Sequence, residues 1–298
     1  MSVAGQGQSP AAPIGTAAKG IYISPAPYER IVTALRQTVE AMAAPEALPS
    51  VTVPPVISRE VVERAGYVRS FPQLVGTVHS FRGDRRDWRP LSALIGTGEW
   101  HQAQQVTDLV LLPAPCYHVY PLLTGAAITV PRQFCVHATC FRDEATAEPG
   151  RLRSFRVSDL VYAGLADDCR NWRDSWVQLM ADWLRGLGLE VTAEIADDPF
   201  FGPGDTLIRN SQREQELKWE LRVELADGVV QAVASCNCHR DHFGSVFGFS
   251  ADGQPAHSAC VGFGLDRIAI ALINKHGPEV TTWPPGVRTR LSLSGSGH

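Results

Sequence analysis

The segment Phe141-Arg142-Asp143-Glu144 is followed after a polar loop by Arg151-Leu152-Arg153-Ser154-Phe155, and Gly262-Phe263-Gly264-Leu265-Asp266-Arg267 comes much later in the chain. Alternate residues of a β-strand project to the same face, so Arg142 and Glu144 are expected to share one side. The Arg-x-x-x-Phe segment would return a second arginine and an aromatic ring to that side. The pattern predicts a clamp for a nucleotide.

The residue types in this clamp suit the groups of a nucleotide. Guanidinium groups bind phosphates through paired hydrogen bonds, while a ring can stack on a purine and a carboxylate can accept from its amine. Arg267 adds a third cation in the first turns of an apolar helix, after glycines that allow close backbone approach. An Arg-x-Glu pair alone is more commonly a surface ion pair. The ordered combination resembles motifs 2 and 3 of class II aminoacyl-tRNA synthetases.

Composition limits the classes of function. The chain has 298 residues, of which 44% are hydrophobic, so it can bury a substantial core. Its net charge of −4 and isoelectric point of about 6.1 provide no broad basic surface for nucleic acid. We therefore expect no nucleic-acid partner.

The two ends of the chain read as polar extensions. Residues 1–18 are rich in Gly, Gln, Ser, Pro and Ala and lack the features of a signal peptide, so we expect a disordered leader. Residues 19–290 are expected to form a single catalytic domain, and residues 291–298 a polar tail. Because no apolar run is long enough to span a membrane, we expect a cytoplasmic protein without a membrane partner, whose seven cysteines stay reduced.

Hydrophobic periodicity predicts an α+β fold in which a mostly antiparallel sheet is flanked by helices. Helices are expected over 28–42 and 167–187, the second ending at Gly188, and residues 61–66 read as a helix end. Asp227-Gly228 is expected to form a hairpin turn, and residues 237–244 a loop. Strands are expected over 67–72, 74–78, 109–112, 127–130, 134–141, 217–225 and 229–235.

The segment around Pro72 has two interpretations. A helix, then the apolar strand Tyr67-Val68-Arg69-Ser70-Phe71, then Pro72 resembles motif 1 of class II synthetases, whose role in that family is the dimer interface. The resemblance thus implies a homodimer with Pro72 at its interface. Any edge strand that ends in a proline would look the same.

The cysteines leave two readings open. Cys236, Cys238, His239 and His242 could form a local zinc knuckle, although no second Cys-x-x-Cys half completes it. Cys116 lies in a turn behind the 109–112 strand, and Cys260 lies beside the nucleotide clamp. By spacing alone these two are either buried apolar residues or metal ligands.

Across nearly the whole expected domain, the chain resembles the amino acid:[carrier protein] ligases, short homologues of the atypical zinc-dependent seryl-tRNA synthetases. The similarity lies in short stretches spread along the sequence. They are Ser70-Phe71-Pro72, Thr77-Val78-His79-Ser80-Phe81, Cys116-Tyr117, Cys140-Phe141-Arg142, Ser154-Phe155-Arg156, Asp198-Pro199-Phe200-Phe201-Gly202, Asp241-His242-Phe243-Gly244 and Ala259-Cys260-Val261.

The resemblance implies a set of site residues. Zn²⁺ would be held by Cys116, Asp159 and Cys260 and would bind the substrate amino group, with Asp159 standing where the family has a longer glutamate. Arg142, Glu144 and Arg267 would be the catalytic residues. The ATP-binding residues would be Arg142, Glu144, Arg151, Leu152, Phe155, Lys218, Ala232, Val233, Ala234, Ser235 and Arg267. Without the resemblance, Lys218 would read as part of a solvated strand face.

The activity implied by the resemblance has two steps. With ATP and Mg²⁺, an amino acid would be activated as its adenylate and then transferred to the phosphopantetheine thiol of a carrier protein. The first alternative is aminoacylation of tRNA or tRNA-dependent aminoacyl transfer. The second is a regulatory paralogue that binds an amino acid or adenylate without turnover.

Overall fold

The computed structural model describes residues 11–43, 50–144, 150–226 and 228–293. Residues 1–10 of the predicted leader, Asp227 of the predicted turn and residues 294–298 of the predicted tail lie outside these ranges. None of the helices in the described ranges combines the length and apolar character that crossing a bilayer requires.

Helices and strands alternate along most of the chain. The helices are α1 Ala26–Ala43, α2 Arg59–Arg64, α3 Tyr67–Ser70, α4 Trp88–Thr97, α5 Ala166–Gly186, α6 Asp205–Glu214, α7 His242–Phe247, α8 Leu265–His276 and α9 Pro285–Arg290. The strands are β1 Ile14–Gly15, β2 Tyr22–Ile23, β3 Ser50–Thr52, β4 Val56–Ser58, β5 Thr77–Phe81, β6 Gln104–Leu111, β7 Ala127–Ile128, β8 Arg132–Phe141, β9 Ser154–Gly164, β10 Thr192–Ile195, β11 Lys218–Ala226, β12 Val229–Arg240, β13 Ser250–Ala251, β14 Gln254–Pro255 and β15 His257–Gly264.

A central sheet organises the fold. Within the described ranges it has seven strands in the order β10-β11-β12-β15-β9-β8-β3. Only the edge pair β3–β8 is parallel, and each of the other neighbouring pairs is antiparallel. The predicted α+β architecture, a mostly antiparallel sheet flanked by helices, is therefore confirmed.

The two faces of this sheet bury different sets of residues, because consecutive residues of a strand point in opposite directions. Leu160 belongs to a core cluster beneath α1, α5 and α8, where Met180 and Leu184 are fully buried. Val161 belongs to a second cluster, formed with α7 and the 3-10 helices around Tyr120. The helix predicted over 167–187 is confirmed as α5, and its face of residues spaced three and four apart packs on the sheet.

A partly buried ion cluster ties α1, β9 and α8 together. Arg156 on β9 donates from Nη1 to Glu29 at 2.5 Å and from Nη2 to Asp266 at 2.6 Å. The Tyr28 hydroxyl donates to the same Asp266 carboxylate at 3.0 Å. The beginning of α8, which carries Arg267, is thereby fixed against the sheet.

The strand predicted over 67–72 is wrong. Gly66 has a φ of 75° and begins α3, and Pro72 starts a 3-10 helix that ends at Leu74. The apolar residues Tyr67 and Phe71 are four apart, and their ring centroids lie 5.1 Å from each other along one side of a helical turn. Of the strand expected over 74–78, only its end at residues 77–78 lies in β5.

Three further expectations differ from the structure. Within the predicted leader, Ile14–Gly15 pairs with Tyr22–Ile23 as a two-stranded sheet. Leu291, the first residue of the predicted tail, is fully buried in the main core. The loop expected over 237–244 is instead the end of β12 and the start of α7, because pairing with β15 continues to Arg240.

We expect Gly244→Ala to lower the free energy of unfolding by about 1–3 kcal/mol, the usual cost of overpacking. A Cβ at Gly244 would overlap the backbone carbonyl and amide of Ala256, which cannot move aside as a side-chain tip can. Urea unfolding followed by circular dichroism measures the change. The matched control is Gly286→Ala, also in a short helix, where a Cβ meets nothing within 4 Å. Equal stability of the two variants would contradict this packing argument.

Candidate active site

A cavity of about 280 Å³ lies against the face of the central sheet that carries Val161. Strands β9, β12 and β15 form its floor, and α3, the 3-10 segment after β6 and the loop before α6 contribute its walls. The predicted site residues that line it are Cys116, Arg142, Phe155, Asp159, Lys218, Ala232, Val233, Ala234, Ser235, Cys260 and Arg267.

One end of the cavity holds a group of potential metal ligands. One ligand atom from each of Cys116, Asp159 and Cys260 lies within 4.8 Å of the others, and all three residues are buried. Cys116 comes from the 3-10 helix Pro115–His118, while Asp159 and Cys260 come from the adjacent strands β9 and β15. The fold thus brings together the three residues that the resemblance implies as ligands.

The electrostatics of this group fit a bound divalent cation. Burial, followed by the nearby Cys260, raises the pKa of Asp159 well above its usual value. The Cys116 thiol donates toward the Cys260 sulfur, which lowers the pKa of Cys260 and raises that of Cys116. Two thiolates and a carboxylate are donors that zinc accepts, and a cation would offset the cost of burying them. The residues present therefore fit a zinc ion.

The alternative zinc knuckle is not formed. The Cys236 sulfur contacts Met180 of α5 in the core, on the opposite side of the sheet from the cavity. The His242 ring bonds to the carbonyl oxygen of Ala65 at 2.9 Å. Among the described residues, the group at Cys116 is the one metal-type cluster present.

The other end of the cavity is cationic. Arg142 lies over the Phe155 ring, with 5.5 Å between its guanidinium carbon and the ring centroid, and its Nε donates to the Pro113 carbonyl at 3.2 Å. Arg267 donates to the carbonyl oxygens of Gly150 and Ala232 at 2.9 and 2.8 Å. Both guanidinium groups are therefore held in place by backbone acceptors.

Neighbouring positive charges at this end of the cavity are electrostatically suited to a polyanion. Burial, followed by the charge of Arg151, lowers the pKa of Arg267 to about 10. Arg151 also faces Glu144, with 3.7 Å between nitrogen and oxygen. Bringing cations together is unfavourable until an anion such as a phosphate chain enters between them.

Among the predicted ATP-binding residues, Glu144 and Arg151 are absent from the lining of this cavity, and so is Leu152. It lines a separate cavity of about 250 Å³ together with Tyr22, Tyr28 and Phe155. Its side chain therefore does not share the cavity that holds Arg142 and Arg267. Residues 145–149, between Glu144 and Arg151, lie outside the described ranges.

Lys218 does not belong to a solvated face. It is only 9% exposed and its amine lies 2.7 Å from Asp198 and 3.1 Å from Glu220. Gln212 of α6 completes the arrangement by donating to Asp198 at 2.8 Å. The alternating pattern of β11 could not show that the loop before α6 covers this face.

Three further polar residues, Asp198, Asn237 and His239, line the cavity. The sequence indicated no role for the first two and, for His239, only the zinc knuckle that is not formed. Asp198 lies within one of the stretches that resemble the family and His239 lies close to another, but a local pattern does not identify their partners. Asn237 and His239 both approach the Cys260 sulfur at 3.4 Å.

Comparison with known proteins gives the family. No family model matches the chain. Amino acid–[acyl-carrier-protein] ligase 1 of Bradyrhizobium diazoefficiens is 39% identical over 282 residues, which cover 92% of this chain and 85% of that protein. Ligase 2 of the same organism is 38% identical over 280 residues, covering 92% of this chain and 84% of that protein.

A solved structure supports the fold independently. The Methanopyrus kandleri seryl-tRNA synthetase, crystallised with Aquifex aeolicus tRNASec, superposes with a TM-score of 0.78 at 20% identity. The match covers 94% of this chain and 58% of the synthetase. The fold is that of a class II aminoacyl-tRNA synthetase catalytic domain, and the chain belongs to the amino acid–[acyl-carrier-protein] ligase family.

Proposed function

We propose that this ligase activates an amino acid with ATP and transfers the aminoacyl group to the phosphopantetheine thiol of a carrier protein, with residues 19–290 acting as one catalytic domain. The observation that carries the proposal is a single cavity with a Cys-Asp-Cys donor group at one end and buried arginines at the other. An aminoacyl-adenylate has a free amino group in its aminoacyl part and a phosphate that joins this part to adenosine. The names of the two bacterial relatives supply the acceptor.

In the first step, the carboxylate oxygen of the amino acid attacks the α-phosphorus of ATP, and the bond to pyrophosphate breaks. ATP enters as its Mg²⁺ complex. Arg142 and Arg267 stabilise the negative charge that develops on the phosphoryl oxygens, because their guanidinium groups are already oriented by backbone carbonyls. Phe155 offers a ring for the adenine, while Glu144 would accept from the adenine amine and Arg151 would contact the triphosphate.

The donor group at the other end selects the substrate. Cys116, Asp159 and Cys260 would hold Zn²⁺, and the ion when bound would coordinate a free amino group. Asp159 also binds the backbone N–H of Cys116 at 3.3 Å, which fixes the carboxylate relative to the first thiol. In the second step, the carrier thiol gives up its proton and attacks the adenylate carbonyl carbon. A thioester forms and AMP leaves.

We also propose a homodimer, in which an exposed apolar surface would be covered. We name this surface the α4 patch, and it consists of Trp88 and Ile95 on α4 and Trp100 on the 3-10 helix that contacts α4, which are 59%, 50% and 51% exposed. Large apolar residues clustered at a surface are typical of an interface. Pro72 is also exposed and would contribute as motif 1 does in the family that the chain resembles.

The function is tested by following exchange of radiolabelled pyrophosphate into ATP against a panel of amino acids. We expect exchange with one or a few amino acids and a loss of about 100-fold or more in Arg267→Lys, because one amine cannot replace an oriented guanidinium fork. Arg185→Lys, on the exposed side of α5, is the matched control and should retain exchange.

The acceptor is then identified by offering a phosphopantetheinylated carrier protein and bulk tRNA separately. Label on the carrier, removed by hydroxylamine, supports the proposal. Label on tRNA would replace it with tRNA aminoacylation, and a folded, zinc-loaded protein without exchange for any panel member would indicate a regulatory paralogue.

Replacing one thiol tests the metal centre. We expect Cys116→Ala to retain its circular dichroism spectrum but to lose both bound zinc and pyrophosphate exchange, since two remaining ligands hold the ion poorly. Zinc is measured by elemental analysis after gel filtration. Cys236→Ala is the control, because that buried thiol faces the core. A Cys116→Ala protein with wild-type zinc content and activity would eliminate the assigned metal site.

The dimer is tested by sedimentation velocity. We expect wild-type protein to sediment as a dimer and Trp100→Glu to shift it toward the monomer, because a charge would be buried within the α4 patch. Leu207→Glu serves as the control, since Leu207 on α6 is 75% exposed and lies outside the patch. A monomeric wild-type protein, or a dimer unaffected by Trp100→Glu, would count against this interface.

A further inference from the structure

His239 lies beside the donor group but is not part of it. Its Nε2 is 3.4 Å from the Cys260 sulfur, and its Nδ1 is 3.2 Å from the Tyr120 hydroxyl and 3.1 Å from the Ser258 hydroxyl. Its ring nitrogens are absent from the set of atoms within 4.8 Å that Cys116, Asp159 and Cys260 form. Both nitrogens of the ring therefore have partners other than a metal ion.

An irregularity in β12 brings His239 to this position. Cys238 pairs with Ala259 and Arg240 pairs with Ser258, so His239 is the extra residue of a bulge. Asn237, two residues earlier, pairs directly with Cys260. Bulges re-aim side chains and interrupt the ladder at such points. The result is that Asn237 and His239 both reach the same sulfur.

Aromatic contacts fix the orientation of the His239 ring. Phe243 meets it edge to face, with centroids 4.9 Å apart and planes at 71°. The Tyr120 ring in turn stacks on the Phe243 ring, with 3.9 Å between the two centroids. Tyr120 and Ser258 are fully buried and their hydroxyls also hydrogen-bond each other, so one of them can donate to the His239 Nδ1 while the other donates to that hydroxyl.

These contacts select one tautomer when Cys260 has no proton. A hydroxyl that donates to Nδ1 requires the ring proton on Nε2, where it points at the sulfur. The Asn237 side-chain nitrogen, which can only donate, also lies 3.4 Å from the Cys260 sulfur. Two N–H donors around one sulfur suit a thiolate, which accepts hydrogen bonds far better than a thiol does.

We propose that His239 is a positioning residue of the metal centre: its Nε2–H donates to the Cys260 thiolate while Tyr120 and Ser258 hold its Nδ1. The inference rests on the zinc site of the proposed function. By fixing the direction of the sulfur lone pairs, the imidazole keeps Cys260 aligned with Cys116 and Asp159 for binding the ion. Partners of this kind contribute to metal affinity without touching the metal.

Two amide substitutions separate this role from simple packing. In His239→Gln the amide nitrogen can occupy the place of Nε2, whereas in His239→Asn it reaches only the place of Nδ1. Zinc affinity is measured by competition with a chromophoric chelator. We expect His239→Asn to weaken zinc binding about 10- to 100-fold, and His239→Gln to stay within about threefold of wild type. His242→Asn, next to the site but bonded to Ala65, should bind zinc as wild type does.

A spectroscopic measurement accompanies the titration. In the Co²⁺-substituted protein, loss of a donor to the sulfur should shift the thiolate-to-cobalt charge-transfer band in His239→Asn but not in His239→Gln. Wild-type affinity and band position in His239→Asn would overturn the inference, as would equal losses in both variants. Failure of the wild-type protein to bind zinc would instead remove the metal centre itself, so the two failures are distinguishable.

Discussion

The antiparallel pairing of β9 with β15 is the constraint on which the site depends. In this register Asp159 lies opposite Gly262, and Cys260 lies opposite Val161. The missing side chain of Gly262 leaves room for the carboxylate, since a Cβ there would come within 2.9 Å of the Asp159 Oδ1. A slip of one residue by either strand would turn its own ligand, Asp159 or Cys260, into the core beneath α5. Strand β15 continues directly into α8, so the register of this pair also determines the position of Arg267 relative to the cavity.

The cavity is electrically asymmetric, and each end is unfavourable by itself. One end buries a carboxylate beside two thiols, and the other gathers arginines whose charges oppose one another. Groups of this kind are tolerated in a folded protein when a ligand of opposite charge compensates them. A cation at the first end and a phosphate chain at the second satisfy both requirements. In the proposed function, the same asymmetry would orient an amino acid, because its amine and its carboxylate would be drawn to different ends.

The sequence predicted long, regular elements well and tertiary contacts poorly. The spacing of Trp176, Met180 and Leu184 was sufficient for α5, since a three-and-four repeat sustained over many residues matches the period of a helix and not that of a strand. The short turn at Tyr67 was mistaken for a strand because it holds too few residues to establish a period. Only the resemblance to a family indicated the candidate metal ligands Cys116, Asp159 and Cys260, because residues far apart in sequence form no local pattern. The partners of Lys218 and His239 depend on a covering loop and a bulge, which periodicity does not reveal.

The Arg156 cluster links the start of α8 to a helix far away in sequence. Arg156 joins Glu29 of α1 to Asp266, the residue immediately before Arg267. Losing the arginine would leave two carboxylates facing each other in a partly buried place, and losing either carboxylate would weaken the hold on the start of α8. We therefore expect single substitutions at these three positions to loosen the start of α8, and its restoration to require more than one change. The N-terminal α1 thus helps to hold in place an arginine that we propose to be catalytic, although the two lie far apart in sequence.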